Sequence, residues 1–314
     1  VDAIMGQTES PHAVTDRILP GLIVNADDLA IHPRINAGIL SAWNAGILTS
    51  ATMLMTTPYL EATVRDTVRT SSLPVGIHLA LTLGKGIAGH GAVPDLTDET
   101  GEFTWTAQRL LLCSFASEPQ RRVLAQIRRE LEAQLALARD HGVRATHADS
   151  HQHVHMNPAI FAAVEDLLPR FGIERMRRSR EALSPRAVAG AVAQGQGINL
   201  AKVALLRWLG RRIRPRLATP DEFFGVIYTG MVTKPAIMAA IADLAMDRSL
   251  ELCVHPGFPV GTGEANYELA DVNAWITSPS RQLEHDALVD PDVAALVRQR
   301  GITLRSFDGR EKAP

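Results

Sequence analysis

The sequence predicts an α/β protein, an irregular (β/α) barrel with seven or eight parallel strands. Three observations lead there. Short apolar runs alternate with longer stretches of helical periodicity from Gly21 onward. At 314 residues the chain is long enough for one barrel and near the upper bound for a single hydrophobic core. Several apolar runs change to Asp or His at their C-terminal ends, where parallel barrels gather functional side chains.

Residues 1–18 mix Asp2, Glu9 and Asp16 with prolines and lack an apolar leader core. They read as a flexible tail ahead of a single domain, residues 19–314. Gly21 to Ala26 is a buried strand, and Pro33 to Ala45 a helix with Pro in its first turn and Gly46 as its stop. Ser50 to Met55 is a strand, Pro58 to Arg69 a helix, and Val75 to Leu83 a strand. A loop rich in Gly, Pro and Asp follows, from Gly84 to Thr104. The helix from Glu118 to Asp140 starts on a capping-box spacing, Ser117 with Gln120, and ends before Gly142. Asn157 and Pro158 open a helix running to about Leu168. Ile173 to Arg177, Phe223 to Tyr228, Leu250 to Val254 and Ile302 to Phe307 read as strands. Thr233 with Pro235, and Asp290 with Pro291, mark two further helix starts. Residues 182–220 read as a basic helical insertion without one acidic side chain. Its core, residues 202–216, sets Leu205, Leu206, Trp208 and Leu209 among Lys202, Arg207, Arg211, Arg212, Arg214 and Arg216. That composition suits peripheral contact with an anionic membrane, or an ordinary helix with one buried stripe.

Composition narrows the classes. Hydrophobic residues at 46% and charged residues at 21% exclude disordered and fibrous chains. A net charge of -2 argues against a general nucleic-acid partner. Two cysteines, Cys113 and Cys253, cannot build a disulfide scaffold or a cysteine-rich zinc site, and they fit a reducing compartment. No apolar run reaches the roughly 18 residues of a membrane span, so a cytoplasmic location is expected. Self-association into a homo-oligomer is compatible with the composition.

The densest chemical signal is Thr146 to His155, T-H-A-D-S-H-Q-H-V-H. His147, Asp149, His151, His153 and His155 occupy alternate positions and would share one face of an extended strand. Imidazoles so crowded repel as cations, and a divalent metal relieves this by taking neutral ring nitrogens. The bland reading is a solvated His-rich loop. Next come Asp27 and Asp28 in Asn25-Ala26-Asp27-Asp28, directly after a buried run. Adjacent carboxylates there are costly unless paired or metal-bound, although Asp also caps helices. His78 in VGIHLALT and His255 in ELCVHPG each sit on or end an apolar strand. Either alone is as readily a satisfied core histidine. Together the four strand ends converge on one face, and two His with a carboxylate is a hydrolytic metal-site composition. Gly84 to Gly89 fits G-x-G-x-x-G, but no helix follows, which argues against a dinucleotide site.

LIVNADD, VGIHLALT, THADSHQHVHMNP and ELCVHPG occur in the order of the YdjC-like carbohydrate deacetylases. That family includes chitooligosaccharide deacetylases and relatives linked to hopanoid lipids. The resemblance spans about Leu22 to Gly257. It implies a distorted barrel that removes acetyl from an N-acetylated sugar or glycolipid. It further implies one divalent metal on Asp28, His78 and His151, with Asp27 as base and His255 as acid or its partner. His153, His155 and Asp149 then support the ligands or touch the sugar. Imidazole ligands favour zinc, while the family is often described with magnesium. Leu29 and Ala30 stand where the family reads Phe-Gly, and Ser184 to Thr219 matches no family segment. Other metal hydrolases, a deaminase or a phosphoesterase, share this ligand composition, as does a non-catalytic metal-binding protein.

Overall fold

The structure is a computed structural model that describes residues 17–313, apart from residues 183–187, 189, 193, 194, 266 and 268. Its centre is a parallel sheet of β1 (Gly21–Leu29), β2 (Ser50–Leu54), β3 (Val75–Leu79), β4 (Ala148–Ser150), β5 (Glu222–Phe224) and β6 (Ser249–Val254), in the order β4-β3-β2-β1-β6-β5. β7 (Leu304–Arg305) runs parallel to the start of β1, pairing Leu22 with Leu304. β8 (Glu311–Lys312) is antiparallel to β7, against the expectation of parallel strands throughout. A short return after Gly309 closes it as a hairpin, which needs no crossover helix.

Single bridges, Ala148 to Met176, Arg175 to Ala218 and Glu181 to Phe223, continue from β4 round to β5. They curl the sheet into an irregular (β/α) barrel. The segment Ile173 to Arg177 therefore contributes bridges rather than the expected ladder. A tight turn in which the Arg180 amide donates to the Arg178 carbonyl at 2.7 Å takes the chain off the sheet.

Leu22, Ile23 and Val24 are wholly buried, as parallel strands covered on both faces must be. The cover is α1 (Pro33–Ala45), α2 (Leu60–Thr63), α3 (Ala107–Leu112), α4 (Glu118–Asp140), α5 (Pro158–Leu167), α6 (Gly197–Gly210), α7 (Lys234–Asp243), α8 (Ala270–Ile276), α9 (Ser280–Val289) and α10 (Pro291–Gln299). α1, α4 and α5 fall where apolar periodicity puts them; the short α3 and α8, and α9, carry no such signal. The helix expected from Pro58 to Arg69 is one α turn followed by a wider π turn, Val64–Val68. Ser117 does not cap the α4 backbone, because its hydroxyl meets the Gln120 side chain instead.

Ile18 is buried with Ile23, Ala218 and Phe307, and Arg17 pairs with Asp221 at 3.3 Å. Residues 1–16 of the expected tail lie outside the described residues, as do residues 183–187 of the basic stretch. Membrane contact through residues 202–216 is not supported by the packing of α6. Val203, Leu206 and Leu209 are buried in the core, and Arg212 lies 3.5 Å over the Trp208 ring. Among the described residues no helix is long and apolar enough to cross a membrane.

Gly84 to Gly89 is a loop that holds a carboxylate of its own chain. Glu130 on α4 accepts from the Ile87 and Ala88 amides at 3.0 and 2.8 Å. The donors a phosphate would use are already taken.

Candidate metal centre

On a regular strand adjacent residues face opposite ways, so Asp27 and Asp28 could not share a site. β1 breaks that rule. Its register against β2 shifts between Ala26 and Leu29, and Asp28 adopts φ 67°. Such bulges re-aim side chains, and this one turns both carboxyls into one cavity. Asp28 Oδ2 accepts from Trp275 Nε1 at 2.8 Å and from Arg281 Nη2 at 2.7 Å. Its Oδ1 is buried with no hydrogen-bond partner among the described residues, 3.7 Å from His78 Nε2 and 3.4 Å from His151 Nδ1.

The histidine run does not share one face. β4 stops at Ser150, and Gln152 and His153 take φ 56° and 60°, which ends the alternation. Deepest in the barrel, His147 stacks on Phe307 with ring centroids 3.7 Å apart. Gly76 makes room for it, since a Cβ there would lie 2.6 Å from the His147 ring. One layer up, Asp149 Oδ1 meets His78 Nδ1 at 2.6 Å and aims the opposite nitrogen at Asp28. His151 reaches the cavity above them. His153 also lines it, bonded through Nδ1 to the Ser179 hydroxyl at 2.8 Å.

Of the residues expected to support the ligands or touch the sugar, Asp149 and His155 do not line the cavity. Asp149 is buried behind His78, where it can orient a ligand but not touch substrate. The left-handed turn swings His155 away into the core, where Ser150 Oγ holds its Nδ1 at 2.6 Å and Phe161 packs beside it.

The residues fit a divalent ion. Donor atoms of Asp28, His78 and His151 all lie within 4.8 Å of one another, and the orphaned Oδ1 is at the centre. Burial disfavours a charged His78, but Asp149, then Asp27 and Asp28, outweigh it and push the ring up to about 9. A ligating imidazole must be neutral, so the ion would displace that proton.

Beside this set lies a buried ion network that sequence reasoning missed. Arg177 Nη1 and Nη2 each donate to Asp27 at 2.6 Å, Nε to Glu251 at 2.6 Å, and Nη1 also lies 2.7 Å from Asp149. Burial works against an ionised Asp27, yet Arg177 and His78 hold its carboxyl well below the usual range. Burial pushes Glu251 up to about 8 and Glu284 to about 7. Burial also lowers His255 to about 4, leaving a neutral ring at pH 7. His255 Nε2 is 3.9 Å from Asp27 Oδ2, and Glu284 accepts its backbone amide at 2.6 Å. The signal for Arg177 was available: a charged residue closing an apolar strand, as with Asp27 and His255.

The cavity above these groups has a volume of ≈ 220 Å³. Asp27, Asp28, His78, His151 and His255 meet in it, with Trp275 on one wall and Lys202 of α6 on another. Lys202, read from sequence as part of a basic face, is thus half-buried at the site. It has no hydrogen bond or ion pair to a described residue.

A barrel whose strand ends bring two imidazoles and a carboxylate around one unpaired oxygen, beside a second ionised carboxylate, belongs with the hydrolytic metal-site class. The chain belongs to the YdjC-like family: the family model described as YdjC-like protein matches residues 21–299. It is 31% identical to a carbohydrate deacetylase of Geobacillus stearothermophilus, covering 91% of this chain and 96% of the relative. It is 30% identical to a chitooligosaccharide deacetylase of Serratia marcescens, covering 91% and 97%. A solved Enterococcus faecalis V583 protein named for cellobiose-phosphate cleavage aligns with TM-score 0.68 and 25% identity, over 91% of this chain and 97% of that one.

Proposed function

We propose that this chain is a metal-dependent carbohydrate N-deacetylase. It hydrolyses the acetyl amide of an N-acetylated sugar, as oligosaccharide or glycolipid, to acetate and a free amine. The observation that carries the reading is the unpartnered Asp28 Oδ1 between His78 and His151, next to an Asp27 kept ionised by Arg177. The full-length likeness to two named deacetylases supports the substrate class.

A divalent ion on Asp28, His78 and His151 would supply Lewis acidity to the substrate carbonyl and a water. Two imidazoles favour zinc over magnesium on softness. Asp27 takes the water's proton, and Arg177 fixes the direction from which it does so. His255, neutral at rest and 3.9 Å from Asp27, takes up the proton that Asp27 removed from water and passes it to the departing amine. His153 and Lys202 face the cavity and are the sugar contacts; Trp275 is an apolar wall for a ring. Asp149 orients His78. Two unpaired cysteines fit a reducing setting such as the cytoplasm.

The test is acetate release from a panel of N-acetylated sugars and glycolipids, with Asp28→Ala as control. Acetate from one member, lost in the control, supports the reading. Ammonia or phosphate release in its place identifies a deaminase or a phosphoesterase. A metal-loaded protein inert on every member points to a metal-binding role.

A further inference from the structure

We propose that Asp27, Cys253 and His255 form a second metal site, for a thiophilic divalent ion such as zinc or cadmium, and that filling it arrests the reaction. The inhibitory half rests on the deacetylase reading; the site itself does not.

The three donor atoms lie within 4.8 Å of one another and all three residues are buried. Asp27 Oδ2 is 3.3 Å from Cys253 Sγ and 3.9 Å from His255 Nε2. Zinc bonds of about 2.0–2.3 Å in a tetrahedron place neighbouring donors roughly 3.3–3.8 Å apart. Cys253 lies on β6 and pairs in register with Asn25 of β1; Asp27 and His255 follow directly after the last ladder pair, Ala26 with Val254. None of them belongs to the Asp28, His78 and His151 set.

At rest the Cys253 thiol donates to Asp27 Oδ2, on the oxygen that also accepts Arg177 Nη1 at 2.6 Å. On binding, the thiol proton leaves to solvent, the ion bonds the thiolate, and the ion takes the carboxylate position the proton vacated. Burial holds the free thiol protonated, but direct coordination deprotonates a thiol outright. Arg177 opposes another cation here, yet its charge is already shared with Asp149 at 2.7 Å, while its Nε is held by Glu251 at 2.6 Å. The His255 Nδ1 has no hydrogen-bond partner among the described residues, Glu284 Oε2 lying 4.0 Å away, so the ring can tilt toward the ion without losing a hydrogen bond. A thiolate selects soft ions, so magnesium would leave the site empty and zinc in excess would fill it. Filling it ties up both the proposed base and the proposed proton carrier.

The probe is Co²⁺, titrated into the metal-free full-length protein. The expected result is a second equivalent that develops a sulfur-to-cobalt charge-transfer band. The band is lost in Cys253→Ser and Cys253→Ala and kept in Cys113→Ser. Asp28→Ala should lose the first equivalent and keep the band. Retention of the first equivalent in Cys253→Ser shows that its fold is intact. A missing band in the wild type, or one that survives Cys253→Ser, overturns the site. Excess Zn²⁺ should abolish acetate release in the wild type and spare Cys253→Ser; zinc without effect overturns the inhibitory role. If no substrate yields acetate, the deacetylase reading falls, and the cobalt titration still decides the site.

Discussion

Arg177 grips both carboxylate oxygens of Asp27 at 2.6 Å across the barrel interior, and both side chains are buried. The same guanidinium holds Asp149, which aims His78. One cation therefore sets the charge of the proposed base and, through Asp149, the direction of a proposed ligand.

Arg177→Met should unfold more easily by about 3–5 kcal/mol, because it strands buried carboxylates. The pH dependence has a definite sign. The folded value of Asp27 is depressed, so its stabilising contribution is present above the unfolded carboxylate value and lost as pH falls through the folded one. Without Arg177 that value rises, and the acidic limb of the pH–rate profile should move to higher pH. Urea melts across pH and kcat/KM profiles check both; an unmoved acidic limb would separate Arg177 from the base.

Asp28→Ala should lose the ion of the Asp28, His78 and His151 set and activity together. Asp27→Asn should keep the ion on Asp28, His78 and His151, because none of those three ligands is touched, and lose at least about 100-fold in kcat, the usual share of general-base catalysis. Metal analysis beside kinetics separates the two, and a fully active Asp27→Asn rejects the base assignment.

Lys202→Met should raise KM about tenfold with a smaller change in kcat, the loss expected for a hydrogen bond from a charged group. His155→Ala should leave KM unchanged and lower the melting temperature, since its ring is fixed in the core by Ser150. Equal effects of the two on KM would contradict the placement of these side chains.

Gly38→Ala tests the turn that carries His255. A Cβ at residue 38 would sit 2.5 Å from the Gly257 Cα, where α1 meets the His255-Pro256-Gly257 turn. Its three nearest atoms, in Gly257 and Phe258, are all backbone, so the turn must shift, at about 1–3 kcal/mol. We expect kcat to fall with metal affinity retained; calorimetry and metal titration read the two effects separately.

Much of the architecture is legible in the residues. Apolar runs flanked by Pro and Gly mark α1, β2, α4, α5 and β6 within a residue or two, and the start of β1, which runs on three residues past the expected Ala26, because burial and backbone restriction act locally. The short α3 and α8 escape because six or seven residues carry too little periodicity. The strand expected at Ile173 to Arg177 escapes differently: its apolar character is real, but a turn at Arg178 to Arg180 limits it to bridges.

By itself the sequence determined the inventory: an α/β chain whose buried strands end in Asp27, Asp28, His78, His151 and His255. These follow from residue types and short-range pattern. Only the tertiary structure decided which of them meet. The bulge that turns Asp28 beside Asp27 depends on pairing between β1 and β2. The left-handed turn at Gln152 and His153 separates one run of histidines into a proposed ligand, a wall and a core residue. Arg177 and Lys202 enter the site from segments 150 and 175 positions from Asp27. Such long-range encounters arise from the closing of the barrel, and no local spacing encodes them.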